Sequence, residues 1–499
     1  MMPALEKPEF FETMANHGWS SLGFSQVSLV SETSEQVRRC IETGNFDEVL
    51  IEPDLGAPYT RNSHNKLPLV SAAMDTVTES ETAIVMAECG GRGTIHAALE
   101  PETQFKELEK VKKRLWGFIE EPKTLKDSMT FERVHEFCEK YTFTTFPVVD
   151  SEHRLIGIVT GHEIDRSSPS DPVTDKMKPF DQLRVSDTLV DIHEAYQIMR
   201  DEGINMLPVI DEERRLQGLY IFSDVKSIVE ETSGMRNVDE KNRYVCDIAV
   251  PTDDASVERV KLCEKYLIGG GGVVVLDTAH GDGLYAFKTL KKLKEDFPDI
   301  DFMVGNVTDP DSAIYLARIG ADGIKVGQAS GGVCTTKDET GHGRGQVSAV
   351  WDCSQALIKA GFDTPVCSDG GIKLHGDPAK AIAAGASSVM IGTMFGGTNE
   401  APGERVRMPD GSPGKIVRGM GSLAALQASA AAKHRYGDGK SLPLPEGEAK
   451  PVPISGDLAP LVEDFRKALR KSLLYAGRVS IEDFQRNVRM EFDFSSISK

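Results

Sequence analysis

The chain has 499 residues, of which 40% are hydrophobic and 7% aromatic, and its formal net charge is −20 at pH 7. This length exceeds what one compact core usually holds, so we expect two or more domains in a soluble globular protein. The negative charge argues against a general nucleic-acid binder, although a glycine-rich loop or a helix N-terminus can still hold an anionic small ligand.

The cysteines and the apolar runs predict the compartment. Cysteines lie at positions 40, 89, 138, 246, 263, 334, 353 and 367 without any CxxC spacing, so we expect neither a zinc site nor a disulfide framework. No apolar run is long enough to cross a bilayer, and no N-terminal signal is visible. We therefore expect a cytoplasmic protein in a reducing compartment. Residues 497–499 stop one leucine short of a peroxisome-type tripeptide, which we interpret as coincidence or a truncated end.

The first hundred residues predict the start of a parallel β/α fold. Residues 1 to about 45 are mixed and partly helical, and residues 46–53 predict a short strand closed by proline. An apolar strand over 69–76, a helix over 80–89 and a strand over 93–97 follow in β–α–β order.

An internal repeat then interrupts this pattern. Pro147 and Gly157 recur 61 residues later as Pro208 and Gly218, and an aspartate holds the equivalent position in both copies. Each copy predicts the order helix, strand, turn, strand, helix. We expect residues 120–235 to form a separate domain of two similar halves.

The β/α pattern resumes after the repeat with six more predicted strands, at 244–250, 272–278, 302–307, 324–327, 366–369 and 389–393. With the two earlier strands they make eight, the number in a (β/α)₈ or TIM barrel. We therefore predict an α/β protein whose barrel is formed by residues 1–119 and 236–499. The insertion is expected to leave the barrel from a βα loop.

A glycine-rich loop after the strand at 324–327 is the strongest candidate for chemistry. Three glycines precede Cys334, so backbone N–H groups can approach a ligand closely and a thiolate at the loop tip can attack an electrophile. Taken alone, such a cysteine is more often simply buried after a turn. The strand ends at 366–371 and 389–393 have the same form, however, which favours one functional face of a parallel barrel.

The last hundred residues differ in composition. An alanine-rich helix is predicted over 424–433, and residues 434–439 interrupt it. A polar, proline-rich run to Asp457 and a helix over 458–475 follow. The middle section is predicted to be a mobile flap, with a simple linker as the alternative.

Taken together, several motifs resemble the IMP dehydrogenase/GMP reductase family, in which a CBS pair interrupts a (β/α)₈ barrel. The matching motifs are AMDTV at 73–77, LDTAHG at 276–281, GNV at 305–307, the Cys334 loop, SDGG at 368–371, EAPGE at 400–404 and RGMGS at 418–422. The repeat resembles a tandem CBS (Bateman) module. The resemblance extends over nearly the whole chain.

The resemblance implies that Cys334 adds to C2 of GMP or IMP and that a hydride passes between C2 and a nicotinamide cofactor, NADPH or NAD. The implied catalytic residues are Cys334, Thr336, Glu400, Arg435 and Tyr436. The implied nucleotide-binding residues are Met74, Ser330, Gly332, Asp369, Gly371, Gly392, Thr393, Met420, Gly421 and Glu446. The implied cofactor-binding residues are Asp277, Thr278, Asn306 and Gly327. The carbonyls of Gly327, Gly332 and Cys334 are implied ligands of a monovalent cation, K⁺.

The resemblance also implies regulation and assembly. Asp224, after Ser223, matches the aspartate with which CBS modules contact the ribose of adenine or guanine nucleotides, whereas the first copy has Glu163 there. An insertion with empty sites is the alternative. The expected assembly is a homotetramer or an octamer, without membrane or nucleic-acid partners.

Two positions depart from the family pattern. Gly332 stands where a serine is usual, and Val417 stands where a phosphate-binding tyrosine is common. We therefore expect the phosphate to be held more by backbone amides.

Three functions remain open. The CBS pair, RGMGS and the Arg435-Tyr436 pair, which resembles a water-activating dyad, favour IMP dehydrogenase. The segments 340–350, 452–457 and 475–477 look more like GMP reductases, which we favour. In a reductase, Thr336 and Glu400 are predicted to relay a proton to the departing amine, unless Glu400 is structural. The third function, an inactive nucleotide sensor, is disfavoured because Cys334 and Asp369 are intact.

Overall fold

The computed structural model of the protein describes residues 7–16, 21–43, 52–114, 117–120, 122–141, 144–230, 234–253, 255–437 and 441–493. The chain divides into two compact units, one formed by residues 1–114 and 235–499 and the other by residues 115–234. Most of the strand predicted at 46–53 and the C-terminal residues 497–499 lie outside the described ranges. No helix within those ranges combines the length and the apolarity that a bilayer crossing requires.

Eight parallel strands close into a barrel in the first unit, and each pairs with the next around the ring. They are β1 (Leu69–Ser71), β2 (Arg92–Ile95), β3 (Asp247–Val250), β4 (Val274–Asp277), β5 (Phe302–Val307), β6 (Gly323–Val326), β7 (Val366–Asp369) and β8 (Ser388–Ile391). The predicted strands and the predicted (β/α)₈ barrel are confirmed.

Helices follow the strands in chain order: α1 (Ser80–Glu88), α2 (Pro101–Lys113), α3 (Ala255–Leu267), α4 (Leu284–Asp296), α5 (Pro310–Ile319), α6 (Gln346–Lys359), α7 (Asp377–Ala383) and α8 (Leu458–Tyr475). Their sequences explain their ends and faces. Asp309 caps α5 by accepting a hydrogen bond from the N–H of Ser312 at 3.0 Å. Every third or fourth residue of α8, including Val462, Phe465 and Leu469, is buried, as an amphipathic helix requires.

Shorter elements complete the first unit. The additional helices are Lys7–Asn16, Glu35–Thr43, Thr336–Thr340, Thr393–Gly396, Leu423–Ala428, Ala430–Tyr436 and Ile481–Asn487, with a 3₁₀ turn at Phe24–Gln26. Strands Val27–Leu29 and Met490–Phe492 pair with each other, Ala57–Thr60 and Ser63–Asn65 form a hairpin, and Arg405–Arg407, Pro413–Arg418 and Ala449–Pro453 form an antiparallel sheet.

The hairpin fills the amino-terminal end of the barrel. Its Tyr59 is fully buried and packs against Met303, Cys367 and Met390 inside the barrel. The guanidinium of Arg92, at the start of β2, lies 4.6 Å from the Tyr59 ring centroid and 2.9 Å from a carboxylate oxygen of Asp247. The functional cleft therefore lies at the other end, among the loops that follow the strands.

The second unit contains the predicted repeat. Its helices are Phe131–Tyr141, Gly161–Asp165, Val173–Lys176, Ile192–Glu202 and Phe222–Val229, with a 3₁₀ turn at Phe180–Gln182. Its strands are Phe118–Ile119, Leu125–Lys126, Phe146–Val149, Leu155–Val159, Lys178–Pro179, Met206–Ile210 and Leu216–Ile221. Each copy thus has the predicted order of helix, strand, turn, strand and helix.

The two copies share their turn chemistry. Asp150 accepts hydrogen bonds from the backbone N–H groups two and four residues later, and Asp211 does the same. His153 and Arg214, at equivalent positions, have positive φ angles of 62° and 64°. The sequence repeat therefore reflects a repeated local structure.

The position of the insertion differs from the prediction. The second unit follows α2 and precedes β3, so it interrupts an αβ connection rather than a βα loop. The alternation of strands and helices in the sequence indicates that an insertion is present. It does not indicate whether the insertion lies before or after α2.

Candidate active site

The loop between β6 and the helix Thr336–Thr340 carries the predicted nucleophile. The Sγ of Cys334 lies 3.2 Å from the hydroxyl oxygen of Thr336, and the N–H of Cys334 donates to the carbonyl of Gly331 at 3.2 Å. Gly327 has φ of +152°, and a Cβ there would lie 2.1 Å from the Asp369 carbonyl oxygen. Glycine at 327 therefore lets the loops after β6 and β7 approach each other.

Among the cysteines whose surroundings the structure describes, Cys334 is the one that lines the cleft. Burial raises the pKa of Cys89 to about 11 and the pKa values of Cys263, Cys353 and Cys367 to about 12. These thiols stay protonated and unreactive at neutral pH. Cys334 is only partly buried and faces the cleft, where a substrate can reach it.

The cleft brings together most of the predicted site residues. Those that line it are Met74, Thr278, Asn306, Gly327, Ser330, Cys334, Thr336, Asp369, Met420, Arg435, Tyr436 and Glu446. Seven further lining residues were not among the predicted site residues: Ala279, Gln328, Ala329, Gly331, Val333, Gly370 and Gly419. The cleft thus combines residues from five strand ends and the C-terminal segment.

The C-terminal segment of residues 441–453, here called the cover segment, is tied to the cysteine loop. The N–H of Thr335 donates to the Glu446 carbonyl at 3.0 Å, and the N–H of Glu448 donates to the Val333 carbonyl at 3.0 Å. Its strand, Ala449–Pro453, pairs with Pro413–Arg418. The section predicted as a flap or linker thus brings Glu446 to the cleft, and its mobility stays a prediction.

A charged cluster lies behind two residues that line the cleft, Asn306 and Asp369. The Lys325 ammonium donates a 2.6 Å hydrogen bond to Asp369 and forms a 2.8 Å ion pair with Asp277. Asn306 donates from its side-chain amide to Asp369 at 2.8 Å. Sequence reasoning missed Lys325, although a lysine in the middle of an apolar parallel strand was the available signal.

Arg435 and Tyr436 reach the cleft from the helix Ala430–Tyr436. The Arg435 guanidinium forms an ion pair with Asp277. The backbone carbonyl of Arg435 accepts a hydrogen bond from the N–H of Ala279 at 3.1 Å. Burial raises the pKa of Tyr436, so its phenol stays protonated near Cys334. Arg435 therefore lies on the side of the cleft predicted to hold the cofactor.

Five predicted nucleotide-binding residues lie beside the cleft rather than lining it: Gly332, Gly371, Gly392, Thr393 and Gly421. Gly332 and Thr393 are neighbours, since a Cβ at 332 would lie 3.2 Å from the Thr393 hydroxyl oxygen. The Gly421 carbonyl already accepts a hydrogen bond from the N–H of Glu446 at 2.9 Å. Gly421 thus supports the cover segment.

The Glu400 carboxylate lies at the N-terminus of α8. Both of its carboxylate oxygens accept hydrogen bonds from the N–H of Leu458, at 3.0 and 2.9 Å, at the N-terminus of α8. A carboxylate is favourable there because of the helix dipole and the free N–H groups. This contact supports the structural role that the sequence left open as the alternative to the proton relay. Glu446 is the glutamate that lines the cleft with Thr336.

Comparison with known proteins decides the family, since a family model described as IMP dehydrogenase / GMP reductase domain matches residues 43–498. The chain belongs to this family. The inosine-5'-monophosphate dehydrogenase of Aquifex aeolicus is 36% identical over 469 residues, which cover 91% of this chain and 94% of that protein. That of Chlorobaculum parvum is 33% identical over 463 residues, covering 89% and 92%.

A solved structure is similar over almost the whole chain. A GMP reductase variant from Trypanosoma brucei, in complex with guanosine 5'-monophosphate, superposes with a TM-score of 0.84 at 29% identity and covers 95% of this chain and 96% of that one. This member of the IMP dehydrogenase/GMP reductase family is accordingly a purine nucleotide oxidoreductase that acts on GMP or IMP with a nicotinamide nucleotide cofactor.

Two of the three carbonyls predicted to bind K⁺ already accept hydrogen bonds in this family member. The Gly327 carbonyl accepts from the Asn306 amide at 2.7 Å, and the Gly332 carbonyl accepts from the Lys450 ammonium. Within the described residues, no group of three or more histidine, cysteine or carboxylate side chains could hold a metal ion. A cation at these carbonyls stays a prediction.

The predicted nucleotide residues of the second unit lie at the start of the helix Phe222–Val229. The Ser223 hydroxyl donates to Asp224 at 3.1 Å, and both residues are accessible. In the first copy, Glu163 instead accepts from the N–H of Thr160 at 2.8 Å and closes a capping box. The two copies therefore differ at the position predicted to contact ribose.

Proposed function

We propose that this protein is a GMP reductase that converts GMP to IMP and ammonia with NADPH. The observation that carries the proposal is the position of Glu446, which lines the cleft with Cys334 and Thr336. A reductase must protonate a poor leaving amine, and a glutamate beside the nucleophile can supply that proton. The similarity to the solved GMP reductase is a second support.

Cys334 begins the reaction by attacking C2 of the purine, which forms a C2–S bond. The amine at C2 leaves as ammonia when it receives a proton, and C2 remains bound to sulfur. When bound, NADPH supplies a hydride to C2. The C2–S electron pair then returns to Cys334 and IMP is released, so the cysteine ends in its starting state.

Thr336 and Glu446 are proposed to deliver the proton. The Thr336 hydroxyl lies 3.2 Å from the sulfur and so beside the carbon that the sulfur attacks. Glu446 reaches the same cleft from the cover segment, whose backbone is hydrogen-bonded to Thr335. Backbone hydrogen bonds thus fix the position of Glu446 relative to the cysteine loop before the substrate binds.

The remaining cleft residues are proposed to bind the nucleotide. Asp369 accepts hydrogen bonds from the ribose hydroxyls, and Met74 and Met420 enclose the base. Gly332, Gly371, Gly392, Thr393 and Ser330 lie along the adjoining rim, where backbone N–H groups and two hydroxyls can hold the phosphate.

The residues proposed for the cofactor fit such a ligand. Thr278 is 4% exposed, and its hydroxyl has no hydrogen-bond partner within the described part of the chain. A buried hydroxyl without a partner is costly, so a ligand amide at this point would satisfy it. Asp277, Asn306 and Gly327 surround the same side of the cleft and would orient the nicotinamide.

IMP dehydrogenase is the second candidate, because Arg435 and Tyr436 also line the cleft and could activate water. One assay separates the candidates: absorbance of NADPH with GMP, and of NAD with IMP, using the full-length protein. Consumption of NADPH with release of ammonia supports the reductase. Formation of NADH with IMP alone would replace it by the dehydrogenase, and no turnover of either pair would favour the nucleotide sensor.

The second unit is proposed to be a tandem CBS module that binds adenine or guanine nucleotides and changes the activity or the assembly of a homotetramer or octamer. Its two-copy fold and the accessible Ser223-Asp224 pair support this. A cytoplasmic location and activation by K⁺ complete the proposal. Any K⁺ would share the Gly332 carbonyl with Lys450 or displace it.

A further inference from the structure

A buried lysine joins the two sides of the cleft. Lys325 is 1% exposed and lies between Ile324 and Val326 on β6. Its ammonium hydrogen-bonds to Asp369 and to the amide oxygen of Asn306 and forms an ion pair with Asp277. One positive charge thus contacts a residue proposed for the nucleotide and two proposed for the cofactor.

The barrel is shaped to accept this side chain. Gly305 on β5 pairs in register with Lys325, and a Cβ at 305 would lie 2.7 Å from the Lys325 Cβ. Glycine therefore leaves space for the lysine stem inside the barrel. A buried ammonium is tolerated only where charged or polar partners surround it.

The two carboxylates depend on the lysine in return. Asp277 is 7% exposed and the Asp369 side chain 17%, and both contact the same nitrogen. Two ionised carboxylates this close repel each other strongly in a partly buried site unless a cation lies between them. Arg435 pairs with Asp277, so Lys325 is the cation that both carboxylates share among the described residues.

We propose that Lys325 is a positioning residue that holds both ligand-binding carboxylates in the correct orientation through one shared positive charge. The proposal rests on the proposed roles of Asp369 toward the ribose and of Asp277 toward the cofactor. It follows that Lys325, which does not line the cleft, controls binding on both of its sides.

The test uses Lys325→Met, which keeps the length of the side chain and removes its charge. We expect the Kd for the nucleotide, measured by calorimetry with GMP and IMP, to rise about tenfold or more, and the KM for the cofactor to rise as well. Adding Asp277→Asn removes the repelling neighbour of Asp369. This double variant should recover most of the nucleotide affinity without recovering the cofactor KM, a pattern that loss of packing alone would not give.

A double variant that binds the nucleotide as weakly as Lys325→Met would overturn the proposal. Should Lys325→Met fail to fold, Asp277→Asn alone remains informative. In that variant Asp369 is the one carboxylate that still pairs with Lys325, so the nucleotide affinity should be unchanged or higher. Weaker nucleotide binding would contradict the proposal that the two carboxylates share the charge of Lys325.

Lys112→Met is the matched control. Lys112 is equally buried, and it donates to the carbonyls of Tyr244 and Gly271, which precede β3 and β4 at the opposite end of the barrel. This variant should lose stability while keeping both affinities. If the protein without substitutions fails to reduce GMP, the proposed reductase function is refuted. The lysine proposal can still be tested then, because calorimetry measures nucleotide binding without turnover.

Discussion

The sulfur of Cys334 and the hydroxyl of Thr336 lie 3.2 Å apart at the mouth of the barrel. The two residues belong to one loop, and the backbone of that loop is hydrogen-bonded to the cover segment. The nucleophile and the first member of the proposed proton relay are therefore held together by local structure.

Replacing the nucleophile should abolish turnover. We expect Cys334→Ala to lower kcat by about 10⁴-fold or more, because no other cysteine lines the cleft in the described part of the chain. Calorimetry should show nearly unchanged nucleotide binding. Cys138→Ala, in the second unit, is the control and should keep full activity; appreciable turnover by Cys334→Ala would refute the covalent mechanism.

The two glutamates should separate catalysis from stability. Glu446→Gln should slow GMP deamination by about 10²- to 10³-fold, because the amide cannot donate the proton. Glu400→Gln should leave kcat nearly unchanged and lower the free energy of unfolding by about 1 kcal/mol, because it weakens the charge interaction at the N-terminus of α8. Equal losses of kcat in both variants would contradict this assignment.

Arg435 distinguishes the two reactions. In a reductase, Arg435→Ala should have little effect on GMP deamination, since Lys325 still neutralises Asp277. In a dehydrogenase the same variant would form NADH in a single burst with IMP and NAD and then stall, because hydrolysis of the adduct would fail. Rapid-mixing measurements detect such a burst, and its observation would overturn the choice of reductase.

Removing residues 115–234 should leave a folded and active barrel. The eight strands and their helices all belong to the other unit, and α2 is complete before the second unit begins. A short glycine–serine linker would join Arg114 to Met235. ATP and GTP should bind the full-length protein and change its activity or its assembly, whereas the shortened protein should lose the binding heat outside the active site. If the full-length protein shows no such heat, the second unit is only structural.

Lys112 should make stability depend on alkaline pH. Burial lowers the pKa of Lys112 from 10.5 to about 8, so between these values the unfolded chain holds a proton that the folded chain has lost. Unfolding is then progressively disfavoured as the pH rises through this window.

The free energy of unfolding of the unsubstituted protein, measured relative to that of Lys112→Met, should therefore increase between pH of about 8 and 10. The expected increase is on the order of 3 kcal/mol. Urea unfolding of both proteins at the two pH values measures it. A constant difference between them would mean that the lysine stays charged.

Features encoded by local or periodic patterns were determined by the sequence itself. The eight barrel strands and the repeat were predictable because strand runs, turn residues and a fixed offset are all short-range signals. The Cys334–Thr336 pair is also local, since both residues follow one strand end.

Only the tertiary structure decided which distant residues complete the site. Glu400 follows a barrel strand, as catalytic residues often do, yet its carboxylate lies at the N-terminus of α8. Glu446 lies 110 positions after Thr336 in the chain and lines the same cleft. The positioning role proposed for Lys325 likewise depends on tertiary structure. Barrel closure brings Asp277 of β4 and Asp369 of β7 to the ammonium group of Lys325 on β6. Such contacts depend on how the barrel closes and on where the cover segment packs, and no spacing along the chain encodes either.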